Sequence, residues 1–207
     1  MRRLLAILLS LALAGTRISA MPGDTEPFSL QQFDNRCDLS NSSINFLFSD
    51  RSNLLWVGTW DGLNLYNGSG FHVFNYSREN DNRSIGSNVI QKLSEDREGN
   101  IWITTIEGIP RYTKSTGRFS HYFYNQYRRS RVSENEFALA IDTAGNVFCL
   151  SQKTGLSRYY AATDQFIPVQ LPLKNAQPLV NLAIDAANRL WMLDAGGQLF
   201  GFSAATL

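Results

Sequence analysis

Two residue types are scarce in this chain, and their scarcity removes whole classes of chemistry. It holds 2 histidines and 2 cysteines in 207 residues. Neither His72 nor His121 stands beside a Cys, Asp or Glu at metal-ligand spacing, so no metal site can be written. Both fall in segments expected to be outer strands, where a solvated surface role is the expectation. Cys37 and Cys149 make no CxxC or other redox or metal pattern. Cys149 lies in the strand-like run Val147-Phe148-Cys149-Leu150 and reads as a buried free thiol. A Gly-x-Ser-x-Gly elbow and a phosphate-binding glycine loop are both missing. No cofactor is called for. An excess of one charge is missing as well. The chain carries 19 basic and 18 acidic residues. Setting aside Arg2, Arg3 and Arg17 leaves 16 basic against 18 acidic, a net of −2. Nothing in that balance suggests a nucleic-acid-binding face. A helical period cannot be found after the first twenty residues.

The one apolar run is short. Arg2 and Arg3 precede an apolar core from Leu4 to Ala14, and Ser19-Ala20 supplies small residues for cleavage. Eleven residues are too few to span a bilayer, and the charged start and small-residue end describe a secretory signal peptide over 1–20. No Cys follows closely, so a lipid anchor is not expected. The mature chain is expected to be exported and to begin at Met21.

What the sequence does have is repetition. Asp50-Arg-Ser-Asn-Leu-Leu-Trp56 recurs 46 residues on as Asp96-Arg-Glu-Gly-Asn-Ile-Trp102, and 46 further as Asp142-Thr-Ala-Gly-Asn-Val-Phe148. A fourth copy runs from Asp185 to Trp191. Three residues after each Asp stands Asn53, Gly99, Gly145 or Asn188, the types that most readily adopt a left-handed backbone. An Asp opening a turn that Gly or Asn closes describes a hairpin with a type I turn and a bulge. The four should therefore have positive φ. The recurring carboxylates could suggest glycoside hydrolysis, but their place at the head of each hairpin reads as turn capping.

Each copy reads as strand, Asp turn, aromatic strand, Gly turn, third strand, turn, fourth strand. Expected first strands are Ile44–Phe48, Val89–Leu93, Phe137–Ile141 and Leu179–Ile184. Fourth strands are Phe71–Tyr76, Phe119–Tyr124 and Phe166–Val169, and Phe28–Phe33 is expected as a lone outer strand. Four-stranded antiparallel units at this period predict an all-β fold, a β-propeller with an incomplete ring of about four blades. The division is 21–43 as lead-in, then blades at 44–88, 89–136, 137–178 and 179–207, the last incomplete. Trp56, Trp102, Phe148 and Trp191 are expected to fill the wedges between blades, each burying on the order of 200 Å². Pro110 falls inside a third strand, where its missing donor is expected to point away from a ladder.

These motifs resemble the two-component regulator propeller repeat. The resemblance is carried by Leu55-Trp56-Val57-Gly58-Thr59 with Asp61-Gly62-Leu63, and by Ile101-Trp102-Ile103-Thr104-Thr105 with Glu107-Gly108-Ile109. The connection from Asn80 to Asn88 carries it too. The family implies a periplasmic sensor region of an inner-membrane histidine kinase, as in gut Bacteroides-type bacteria. It further implies an oligosaccharide ligand, phosphorelay output, further blades, a membrane-anchored kinase and a homodimer in that context. The chain itself shows no kinase motif and reads as an amino-terminal piece without enzymatic activity. The other reading is part of a secreted propeller enzyme, a polysaccharide lyase or glycosidase.

Ligands of propellers usually meet loops on one face, and loops carry function more often than packed strands do. Trp60 is the one Trp outside the repeated position, so the packing argument does not cover it. With Asp61 beside it and Glu107 in the matching turn, an indole and a carboxylate suit stacking on a sugar ring and bonding its hydroxyls. The competing reading packs Trp60 on the neighbouring blade's turn.

Overall fold

A computed structural model of the chain describes residues 30, 32–34, 36, 38–77, 82–123, 137–173 and 177–207. The leader at 1–20, Cys37 and most of Phe28–Phe33 lie outside these residues. Leu30, Gln32 and Phe33 are described, and none is in a strand. Phe33 instead packs its ring on Tyr66 and Phe71, at centroid distances of 5.1 and 5.4 Å.

Within Phe33–Leu207 the strands form four separate antiparallel sheets, each a meander in sequence order. Blade 1 is β1 (Ile44–Ser49), β2 (Leu55–Thr59), β3 (Gly62–Tyr66) and β4 (Phe71–Phe74). Blade 2 is β5 (Ile90–Glu95), β6 (Ile101–Thr105), β7 (Ile109–Thr113) and β8 (Arg118–Tyr122). Blade 3 is β9 (Phe137–Ile141), β10 (Val147–Ser151), β11 (Gly155–Tyr160) and β12 (Gln165–Pro168). Blade 4 has three strands, β13 (Leu179–Ile184), β14 (Arg189–Asp194) and β15 (Leu199–Ser203), followed by a 3-10 turn at Ala204–Thr206. The first strands β1, β5, β9 and β13 pack on one another along the inner side, and the sheets form an open arc of propeller blades.

The Asp turns repeat bond for bond. In each, the Asp carbonyl accepts the N–H three residues on, at 2.9 to 3.1 Å. The Asp Oδ1 also accepts the N–H four residues on, at 2.7 to 3.0 Å. The closing residue takes φ of 59° at Asn53, 84° at Gly99, 91° at Gly145 and 63° at Asn188. The carboxylate has a second task that turn chemistry alone does not predict. Its Oδ2 accepts the indole N–H six residues on, at 2.9 Å from Trp56, 2.7 Å from Trp102 and 2.9 Å from Trp191. A fully buried indole needs such a partner, and the Asp-to-Trp spacing supplies it within one hairpin.

The first three aromatics each face the next blade. Trp56 joins Ile90, Leu93, Ile101 and Phe119 between blades 1 and 2. Trp102 joins Leu139, Val147 and Cys149 between blades 2 and 3, and Phe148 joins Leu182, Leu190 and Met192 between blades 3 and 4. Cys149 is free and fully buried, which pushes its thiol pKa well up. Trp191 has no fifth blade to face within the described residues. It is half-buried and borders a shallow depression of about 210 Å³ with Leu193 and Leu199.

Three local features depart from the sequence reading. The inner strands carry bulges at Asn45, Gln91 and Val180, where the register shifts. At the first of these, Asn45 Nδ2 reaches across to the Ile90 carbonyl at 2.8 Å. The connection after blade 1 is polar in sequence, yet Ser84, Ile85 and Ser87 are buried. Pro110 does not leave the ladders intact as expected. The β6–β7 ladder keeps two residue pairs, Ile101 with Tyr112 and Trp102 with Arg111, against five in β2–β3.

Candidate functional site

The turns Thr59–Gly62 and Thr105–Gly108 join β2 to β3 and β6 to β7, at the end of each blade opposite its Asp turn. A threonine hydroxyl shapes both. Thr59 Oγ1 donates to the Gly62 carbonyl at 2.9 Å and accepts the Asp61 N–H at 3.0 Å. Thr105 Oγ1 does the same with Gly108 and Glu107, at 2.9 and 3.2 Å. In blade 4 the corresponding turn is built by Asp194, whose Oδ1 accepts the N–H groups of Gly196 and Gln198. This is why Asp194 can stand where blades 1 and 2 have Thr59 and Thr105.

Trp60 sits at the tip of the first turn, 44% exposed, its backbone N–H donating to the Ser43 carbonyl at 3.2 Å. Asp61 is exposed beside it, and its Oδ1 accepts Asn88 Nδ2 at 2.7 Å. Asn88 in turn accepts the Tyr76 N–H on Oδ1 at 2.6 Å, and its carbonyl accepts the Gly62 N–H at 2.8 Å. Tyr76 is 43% exposed. Asn88 thus ties the Asp61 carboxylate to the Tyr76 backbone, and the side chains of Trp60 and Tyr76 are both exposed. Neither Asn88 nor Tyr76 was singled out from sequence. The signal available was Asn88 itself, the last residue of the family-like connection.

Glu107 occupies the matching turn one blade on. It is half-buried, and burial holds its carboxyl above the usual carboxylate range. Among the described residues no hydrogen bond or ion pair joins Trp60 or Asp61 to Glu107, so the turns share an end of the arc without forming one cluster. The repeat residues Asp50, Asp96, Asp142 and Asp185 all cap turns at the other end, and all but Asp142 also bind an indole. No group of three or more His, Cys, Asp or Glu gathers among the described residues. His121 is not the solvated histidine expected. It is half-buried on β8, and burial depresses its pKa.

At the Asp-turn end the inner strands border a cavity of about 590 Å³. Arg51, Lys92 and Glu95 line its blade 1–2 side, and Leu139, Ile141, Leu182 and Ile184 line its blade 3–4 side. Lys114 ties the charged side together. Its Nζ lies 2.7 Å from Asp50 Oδ2 and 2.8 Å from Glu95 Oε1. Burial alone would raise the Asp50 carboxyl, but bonds from Lys114, Trp56 and the Leu54 N–H outweigh it and hold it below the usual range. The same pairing holds the Lys114 ammonium above its ordinary value.

Comparison with known proteins fits this geometry. Residues 84–107, from the buried connection through β5 and β6 into the Thr105 turn, match the family model described as two component regulator propeller. A search of curated proteins gave no match. Among solved structures, the extracellular domain described as that of a hybrid two component system from B. thetaiotaomicron superposes with a TM-score of 0.67 at 21% identity. That match covers 84% of this chain and 25% of the other. A second extracellular domain from B. thetaiotaomicron, described as that of a one component system, gives 0.58 at 21% identity, covering 82% and 22%. The WD40 β-propeller domain of Doa1 gives 0.52 at 12% identity, covering 79% and 52%. This chain spans a quarter or less of the length of the two B. thetaiotaomicron structures. The fold is a β-propeller arc, and the chain carries a two component regulator propeller repeat in its second blade.

Proposed function

We propose that the chain is a ligand-sensing propeller segment of a two-component sensor, exported by residues 1–20 and working in the periplasm. The observation that carries this reading is the regulator propeller match at 84–107, set in a four-blade arc. The ligand is a polysaccharide-derived oligosaccharide, which Trp60 meets by ring stacking and Asp61 by hydrogen bonds to hydroxyls, with Glu107 reached by the next sugar unit. Output passes by phosphorelay through a membrane-anchored kinase, as a homodimer, in a longer protein. The segment itself performs no catalysis.

Two measurements test this. The chain recovered from the periplasm has an intact mass that starts at Met21; a soluble chain starting at Met1 refutes export by this leader. In the full-length sensor, Trp60→Ala and Asp61→Ala weaken oligosaccharide binding by calorimetry while the melting temperature stays in place. An affinity that survives both substitutions removes this turn from the site. Release of new reducing ends or unsaturated products from the polysaccharide would assign a secreted enzyme instead.

A further inference from the structure

A groove of about 380 Å³ lies between the outer parts of blades 2 and 3. Its lining is Ser120, His121, Tyr122, Phe123, Asp164, Gln165 and Phe166. Asp164 precedes β12, in the place where Gly117 precedes β8 in blade 2. It keeps the left-handed backbone of that glycine, with φ of 53° against 66°, but brings a carboxylate across the blade boundary. Its Oδ1 accepts the Tyr122 hydroxyl, the Tyr159 hydroxyl at 2.7 Å and Arg111 Nη2 at 3.1 Å. Arg111 also donates to Tyr159 and lies over the rings of Trp102, Tyr122 and Tyr159 at 5.2 to 5.7 Å. All three donors meet one oxygen. Oδ2 has no protein donor among the described residues, and the side chain is 55% exposed. Phe123 also lines the groove and takes φ of 59°. A bulky residue rarely adopts that conformation, and such outliers gather at functional sites.

The chemistry of the walls selects a ligand. Arg111 neutralises Asp164, so neither a cation nor an anion finds net charge to bind. The rings of Tyr122, Phe123 and Phe166 offer apolar faces. Oδ2 of Asp164, the Gln165 amide and the Ser120 hydroxyl offer acceptors and donors around them. We propose that this groove binds one neutral hydroxylated ring, with Phe123 and Phe166 against its apolar face and Asp164 Oδ2 accepting from its hydroxyls. The site is separate from the Trp60 turn and stands or falls without it.

The test is ligand-observed saturation-transfer NMR on the full chain. The neutral probes are myo-inositol, methyl α-glucopyranoside and N-acetylglucosamine, with ethanolamine and acetate as charged controls. Gln165→Trp fills the groove without touching the Arg111–Asp164 bonds. Tyr159→Phe removes the hydroxyl that bonds Asp164 and Arg111 without lining the groove. The expected result is binding of at least one neutral probe, weakened about tenfold or more in Gln165→Trp at unchanged melting temperature. Tyr159→Phe melts lower yet still binds, and the weakening by Gln165→Trp is the same when it is measured in a Trp60→Ala background, which removes any sugar bound at that turn. The proposal is overturned if no neutral probe binds, if only a charged control binds, or if Gln165→Trp binds like the parent. It is equally overturned if Gln165→Trp makes no difference to binding in the Trp60→Ala background.

Discussion

Asp96 and Asp142 form a natural comparison for the value of the Asp–Trp bond. Each Oδ1 accepts the N–H of an asparagine four residues on, Asn100 at 2.8 Å and Asn146 at 2.7 Å. Each Oδ2 accepts that asparagine's Nδ2, at 2.9 and 2.7 Å. They differ in one bond. Asp96 also accepts the N–H of Trp102, which is fully buried, whereas Phe148 in the matching place has no N–H to offer. Replacing either Asp by Ala removes the same turn bonds. Only Asp96→Ala also strands a buried donor, at a cost of about 1–3 kcal/mol. Asp96→Ala should therefore exceed Asp142→Ala by that amount in urea unfolding, followed by far-UV circular dichroism so that loss of a Trp does not affect the signal. Trp102→Phe in the Asp96→Ala background should recover the excess, giving a coupling of about 1–3 kcal/mol in the double-mutant cycle. Equal costs for the two Asp substitutions, or additivity within about 0.5 kcal/mol, would refute the assignment of the second carboxylate oxygen to the indole.

The Lys114 latch makes stability depend on pH from both sides. The Asp50 carboxyl is depressed on folding, so its contribution is present above the usual carboxylate range and is lost as pH falls through it. Lys114 is raised, so its contribution is lost only as pH climbs past the ordinary ammonium value. Lys114→Met should shrink the drop in melting temperature between about pH 6 and about pH 3; an unchanged drop would remove the latch from the acid response. Gly99→Val should cost about 1–2 kcal/mol from the backbone alone, because an added Cβ meets nothing nearer than 3.6 Å. Gly58→Ala should cost about 1–3 kcal/mol by overpacking, because its Cβ would lie 2.7 Å from Ile90 Cγ2 at the blade 1–2 boundary. Urea midpoints showing both variants neutral would overturn these packing and backbone readings. Leu199 is 60% exposed beside the half-buried Trp191 on the unpaired side of blade 4. Open apolar blade faces drive association, so Leu199→Lys should raise the monomer fraction by analytical ultracentrifugation. A parent chain already monomeric at high concentration would show that this face does not associate.

The blades were legible because their cause is local and recurs. An Asp, a Gly or Asn three residues on and an aromatic six residues on answer to one turn, and four copies at matched spacing leave little else for the chain to build. The positive φ at Asn53, Gly99, Gly145 and Asn188 follows from that turn and needs no tertiary information. The same locality explains the errors at strand ends. Tyr76 was expected at the end of β4, but its N–H bonds Asn88 Oδ1 from the next connection, and the strand ends at Phe74. The bulges at Asn45, Gln91 and Val180 share a position but no residue type, so no composition signal marks them.

What could not be read is what breaks the repeat. Lys114 and Glu95 of blade 2 meet Asp50 of blade 1, 64 residues before Lys114, because the two blades pack side by side, and blade 3 has Ile141 where blade 2 has Glu95. Asp164 meets Arg111 and Tyr122 in the same way, from a turn whose counterpart is a glycine. A repeat constrains each blade to the shared scaffold, so the scaffold can differ among blades only where a side chain reaches across a boundary. Those aperiodic side chains are where a recognition surface specific to this chain can be written. They become visible only once neighbouring blades have been placed side by side. Trp60 is the instructive exception. It too breaks the repeat, as the one Trp out of register, and that alone marked it in the sequence as a residue packing does not explain.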